Sequence, residues 1–207
     1  TLLHKAVLIR KMENRVHITK QVLEMNPDLN IMCKFGYTPL MYLASDIHDL
    51  KTALLLIKKG ADLNVTSPRH DNKNAFALAL VSSDYNMALL LANAGCDLSQ
   101  GQTWLEHQEL QQQRQSDSNN QNDDQVPQEL LVYLSENIGK PQRLDLMCRK
   151  QITQILPNED QIDPLPLPDL LKSFLLFGDL SELAENYENK RKLVQTLGGL
   201  RVHTFYT

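Results

Sequence analysis

The sequence predicts an all-α chain: a stack of paired helices followed by a smaller helical segment near its C-terminal end. Three observations predict it. Two short landmarks recur in step through the first half at a spacing near 35 residues, the mark of a repeat architecture rather than of a single bundle. Leucine-rich helical runs sit between the landmarks and end on glycines, as helices do. Further on, apolar residues at i, i+4 and i+8 precede a proline-rich run, which reads as two short helices around an extended hook.

Taken in order, the first landmark is Thr1-Leu2-Leu3-His4-Lys5-Ala6. It returns after Gly36-Tyr37 as Thr38-Pro39-Leu40-Met41-Tyr42-Leu43-Ala44, and in degenerate form as Asn74-Ala75-Phe76-Ala77-Leu78-Ala79. The three starts lie 37 and 36 residues apart. The second landmark, Gly60-Ala61-Asp62-Leu63-Asn64, recurs 35 residues later as Gly95-Cys96-Asp97-Leu98-Ser99, and weakly earlier as Asn26-Pro27-Asp28-Leu29-Asn30. The first landmark resembles the ankyrin signature T-P-L-H-x-A, with Leu for Pro in one copy and Met for His in the next. The spacing is close to the ankyrin period of about 33 residues. In each copy a cap residue opens the first helix, and Pro39 at the first helical position has no amide to waste. The second helices, around Ala53–Ile57 and Ala88–Ala92, close on Gly60 and Gly95 in the left-handed position. Each pair leaves an apolar face that a stacked neighbour covers. The resemblance implies that His4 ties neighbouring turns by hydrogen bonds.

Arg10–Arg15 (RKMENR) is an insertion between the helices of the first repeat, and its four charges predict an exposed loop. A fourth copy is expected at Gly101-Gln102-Thr103-Trp104-Leu105-Glu106, with Thr103 and Glu106 as a capping box and a helix running to about Gln113. The tract Gln115–Gln125 has no apolar residue and is expected to be a mobile loop, an insertion over 114–126. Pro127 then restarts a helix whose face is Leu130, Leu131, Leu134 and Ile138, ended by Gly139. This is either the outer helix of repeat four or a linker between domains. Residues 1–139 thus form the repeat domain. The chain opens without Met in the middle of a landmark, so it is expected to be a piece of a longer protein.

The next segment places Leu144, Cys148 and Ile152 on one helical stripe, continued by Ile155 and Leu156 and stopped by Pro157-Asn158. In Leu165-Pro166-Leu167-Pro168 two fixed φ values hold the backbone extended. Pro168 suits the first helical position, Leu171, Phe174 and Leu175 make an apolar face, and Gly178 suits the position after the helix. Below about 40 residues a chain usually needs outside help to fold, so this apolar surface is expected to meet the rest of the chain or another protein. Leu144-x-x-x-Cys148-x-x-x-Ile152 resembles the elongin-binding box of the SOCS box, and Ile162-x-x-Leu165-Pro166-Leu167-Pro168-x-x-Leu171-x-x-Phe174-Leu175 resembles its cullin box in the cullin-5 form. The residue before the leading Leu is usually small in the family and is Arg143 here. The resemblance implies a SOCS box over 142–177, with an elongin-binding box at 143–156 and a cullin box at 162–177.

The family so resembled is the ankyrin repeat and SOCS box family, substrate receptors of cullin-RING ubiquitin ligases. It implies contacts to elongin C, with elongin B alongside, through Leu144, Cys148 and Ile152. It also implies contacts to cullin-5, with its RING partner, through Ile162, Leu165, Pro166, Leu167, Pro168, Leu171 and Phe174. An unidentified protein substrate is expected at the turns Cys33–Tyr37 and Ser67–Lys73, where Phe35, Tyr37, Arg69 and His70 are candidate contacts. Two rival readings stay open: an ankyrin scaffold without a ligase role, and a receptor that uses cullin-2. Residues 178–207 form a helical tail beyond the box, lined by Leu180, Leu183, Ala184, Tyr187, Val194 and Leu197. It is expected either to pack on the box or to bind something else.

Composition adds exclusions. A net charge of −4 without a basic cluster argues against nucleic-acid binding. No apolar run reaches the length of about 18 residues that a membrane span needs. Cys33, Cys96 and Cys148 are expected to be reduced, buried thiols of a cytoplasmic protein. The six histidines are scattered, no metal-ligand spacing, phosphate loop or G-x-S-x-G occurs, and no cofactor or catalytic residue is expected.

Overall fold

A computed structural model describes residues 1–115, 126–140, 144–155 and 162–189 of the chain. It is all-α, and no named strand occurs among the described residues. Four helix pairs follow one another: α1 (Leu2–Val7) and α2 (Met12–Glu24), α3 (Pro39–Tyr42) and α4 (Leu50–Lys58), α5 (Ala75–Val81) and α6 (Tyr85–Asn93), α7 (Gly101–Gln115) and α8 (Gln128–Asn137). The first helices pack in a row, α1 on α3, α3 on α5 and α5 on α7; the second helices α2, α4 and α6 pack in a parallel row behind them. This is an ankyrin solenoid, each pair covering the apolar face of the last.

Local chemistry explains each start. Thr1 Oγ1 accepts from the His4 amide (3.3 Å), Thr38 Oγ1 from Met41 (3.2 Å) and Asn74 Oδ1 from Ala77 (2.9 Å), so all three landmark starts are caps. The second helices have caps of their own, Asp49 accepting from the Lys51 and Thr52 amides and Asp84 from Met87. Gly60 and Gly95 take φ of +85° and +93° after α4 and α6, the left-handed turn that glycine makes without strain.

The second landmark has a specific task. Each Asp accepts from the amide two residues on: Asp28 from Asn30, Asp62 from Asn64, Asp97 from Ser99. The Asn then reaches the next repeat. Asn30 Oδ1 accepts from the Asp62 amide at 2.9 Å and Asn64 Oδ1 from the Asp97 amide at 2.8 Å. The recurring Asp-Leu-Asn is therefore an inter-repeat staple.

Two expectations are corrected here, and one irregularity is new. RKMENR is exposed from Arg10 to Asn14 but is only partly a loop: α2 begins at Met12, and Arg15 is 7% exposed. Its Nη1 donates to Asp49 Oδ2 at 2.7 Å and its Nε to the Ile9 carbonyl at 2.8 Å, because one helical turn carries it onto the cap of α4. Thr103 and Glu106 do not form a capping box: α7 already begins at Gly101, so Thr103 lies inside the helix and donates to the Gln100 carbonyl. The helix of the second repeat is also not regular. After α3 it widens into a π-helical turn, Leu43–Ile47, where the His48 amide donates to the Leu43 carbonyl (2.9 Å) and His48 takes φ +57°. The insertion expected at 114–126 lies mostly outside the described residues, as do Leu156, Pro157 and everything after residue 189.

Beyond the pairs come α9 (Leu144–Ile155), α10 (Asp169–Leu175) and helical residues 178–189. Pro168 stands one residue before α10 with ψ of 145° rather than inside it. Phe177, not Gly178, takes the left-handed position, at φ +58°. Gly178 is small for another reason, since a Cβ there would overlap the side chain of Ser173. The tail joins the main core: Phe177, Leu180 and Ala184 are buried in the cluster that begins at Leu3. Glu188 pairs with Lys51 of α4 at 2.5 Å, and Tyr187 packs against the core. The tail is thus packed on the second helices of the stack.

Candidate functional site

Two surfaces gather the residues singled out from the sequence. The first is built by the turns that precede α3 and α5. In Cys33–Tyr37 the Cys33 amide donates to the Tyr37 carbonyl and the Gly36 amide to the Cys33 carbonyl, both at 2.9 Å. In Ser67–Lys73 an isolated antiparallel bridge joins the ends. Gly36 has φ +85°, and a Cβ there would sit 2.8 Å from Ser67 Oγ and 3.2 Å from Arg69 Cβ. Glycine is what lets the two turns abut. Tyr37 stacks on His70, ring centroids 4.2 Å apart at 27°. His70 Nε2 donates to the Phe35 carbonyl at 3.1 Å, which leaves Nδ1 to accept from the Tyr37 hydroxyl at 3.4 Å. All four candidate contacts therefore meet, but in different roles. Phe35 is 55% exposed and Arg69 is exposed, whereas Tyr37 and His70, expected to be exposed, are half-buried joints between the turns.

His4 completes the joint from below. Its Nε2 donates to the Tyr37 carbonyl at 2.9 Å, and Nδ1 lies 2.6 Å from Thr1 Oγ1. Burial holds its imidazole below the ordinary range, as expected of a group whose charged form would lose water. Burial also pushes the Tyr42 hydroxyl up to about 12, helped by its bond to Cys33. For Cys33 itself burial raises the thiol, yet the Tyr42 hydroxyl and the amides of the turn outweigh it and hold it below its usual value.

The expectation of three buried thiols is corrected. Cys96 is buried and pushed up to about 12 by desolvation, Cys33 is half-buried, and Cys148 is exposed. On α9 Cys148 faces solvent, while its neighbour Arg149 carries the packing.

That second surface runs over α9, the hook and α10. On α9, Leu146 turns toward Gly95 and Arg149 is 1% exposed, while Met147 (49% exposed) and Cys148 face solvent and Ile152 is half-buried. Leu144 lies in the first turn of the helix; its side chain is outside the described residues. In the hook the Leu165 amide donates to the Ile162 carbonyl (3.1 Å) and the Leu167 amide to the Leu165 carbonyl (2.8 Å). Pro166 and Pro168 are exposed, Leu165 and Leu167 half-buried. Leu171 is 44% exposed, and Leu170, which sequence reasoning passed over, is 86% exposed. Two of the expected contacts face inward instead. Ile162 is 2% exposed, and Phe174 packs under the Arg149 guanidinium at 3.6 Å. Between this surface and the third pair lies a cleft of about 330 Å³ lined by Cys96, Asp97, Tyr133, Asn137 and Leu146 among others.

Arg149 is the residue that sequence reasoning missed. A charged residue beside an apolar stripe reads as solvated, and nothing local says that it is enclosed. Among the described residues no group of three His, Cys, Asp or Glu side chains is placed to hold a metal ion, and no helix is long and apolar enough to cross a membrane.

No curated protein matches the chain. The family model of ankyrin repeats matches residues 3–102, in three copies. With the caps, glycine turns and Asp-Leu-Asn staples above, this stretch is an ankyrin-repeat stack, a scaffold that binds proteins.

Proposed function

We propose that the chain is the substrate-recognition subunit of a cullin-RING ubiquitin ligase, with the repeats (1–139) binding the target and a SOCS box (142–177) recruiting elongins B and C and cullin-5. The observation that carries this reading is the outward face of the segment with the two-box pattern. Met147 and Cys148 on α9, and Leu170 and Leu171 after the proline hook, stand uncovered beside one another in sequence order. Contiguous exposed apolar surface is what marks a docking site on a protein. The chain is non-catalytic in this reading and acts in the cytoplasm. The receptor tethers a substrate near the charged ubiquitin carrier and so raises the effective concentration of its lysines. Phe35 and Arg69 are the exposed contacts for that substrate.

Co-expression with elongins B and C tests the reading. A stable ternary complex is expected, and Leu144→Ala should weaken it by about 2 kcal/mol or more, the loss typical of a buried anchor. Replacing Leu165–Pro168 by alanine should abolish cullin-5 recruitment and leave the elongins bound. A soluble monomer that ignores both elongins would instead favour an ankyrin adaptor, the function that the repeat stack alone supports. Recruitment of cullin-2 in place of cullin-5 would keep the ligase role and change the scaffold.

A further inference from the structure

The joint between α9 and α10 is closed by Arg149. Its guanidinium carbon lies 3.6 Å from the ring centroid of Phe174 and 5.0 Å from that of Phe177, and its Nη2 donates to Asp179 Oδ2 at 2.7 Å. These partners stand at the end of α10, in the turn after it, and at the start of helical residues 178–189. Phe177 reaches the cation from φ +58°, a conformation that a bulky residue holds only when its surroundings impose it. Burying a guanidinium is costly, and an apolar side chain of similar length would fill the space at lower cost. What the apolar chain lacks is direction. The planar cation stacks against rings and gives the carboxylate a fixed line of approach.

We infer that Arg149 is a positioning residue: it sets the angle between α9 and α10, and with it the relative orientation of the Met147–Cys148 face and the Leu170–Leu171 face. The functional consequence rests on the reading of those faces as two docking boxes; the geometric one does not. If both boxes must be gripped at once by partners that are themselves joined, a loose angle lowers the effective concentration of the second contact. Loss of Arg149 should therefore leave the first partner bound and weaken the second.

Arg149→Met tests this, because it keeps length and burial while removing charge and plane. Asp179, half-exposed, is left to water. Spin labels on Cys148 and on Leu171→Cys, in a Cys33→Ser background, report the separation of α9 and α10. One sharp distance is expected with Arg149, a broad distribution with Met, and an intermediate one with Arg149→Lys, which keeps charge without the plane. The same sharp distance in all three overturns the inference. With elongins B and C bound, Arg149→Met should reduce cullin-5 recruitment roughly tenfold while elongin binding stays unchanged; equal recruitment overturns it as well. Should the native chain bind no elongin, the ligase reading falls and the distance measurement still decides the role of Arg149.

Discussion

At the scale of single side chains, polar groups at fixed places in the period join one repeat to the next. His4 links the first pair to the finger turn of the second, Arg15 links α2 to the cap of α4, and Asn30 and Asn64 reach across to the next repeat's backbone. The buried two, His4 and Arg15, would be costly if left unpaired, and each has a partner at a fixed place in the period. The role of His4 follows from its position in the signature, which the sequence displays. The role of Arg15 does not, since its partner Asp49 is 34 residues away and a charge in a charged run looks solvated. His4 carries a pH dependence with a definite sign. Burial holds its folded-state pKa below the ordinary 6.5, so the unfolded chain binds the proton more readily. Its contribution to stability is complete above about pH 6.5 and is lost as pH falls below that value. In His4→Gln this part of the acid-side slope should vanish from urea midpoints compared at about pH 7.5 and 5. An unchanged slope would assign it to other groups.

At the scale of elements, α8 is the informative helix. Its sequence face was open to two readings, a repeat helix or a linker. Leu130 and Leu134 are both 0% exposed, and Tyr133 donates to the Ala92 carbonyl of α6. α8 is thus enclosed by the shared core. Leu134→Ala should therefore cost about 3 kcal/mol, transfer and cavity together, measured by denaturant unfolding. A loss below about 1 kcal/mol, the range of surface changes, would mean that α8 lies loosely on the stack. The starts of α2, α7 and α10 differ by a few residues from where charge, Thr and Pro placed them.

At the scale of the whole molecule, the repeats and the C-terminal helices share one core. Phe177, Leu180 and Ala184 lie in the cluster that runs back to Leu3, and Glu188 ties the tail to Lys51 of α4. A chain joined this way holds the Phe35–Arg69 surface and the α9–α10 surface as parts of a continuous body. Leu180→Asp, placing a charge at a position 1% exposed, should speed amide exchange in α4 and α8 as well as in the tail. Acceleration confined to residues 178–189 would make the tail a separate unit.

The sequence by itself determined the periodic part of this protein. The caps, the left-handed glycines and the Asp-Leu-Asn staple act within a few residues or at one fixed period, so their physics is local and visible in order. The proline run was legible as a break between helices, but the chain turns and bends at Leu165 and Pro166 rather than running extended. Tertiary structure alone decided which side of α9 faces solvent, that Arg149 and Arg15 are enclosed, and that the tail packs on the second helices. Those outcomes depend on groups brought together from distant points of the chain, and burial is a property of that assembly rather than of any residue within it.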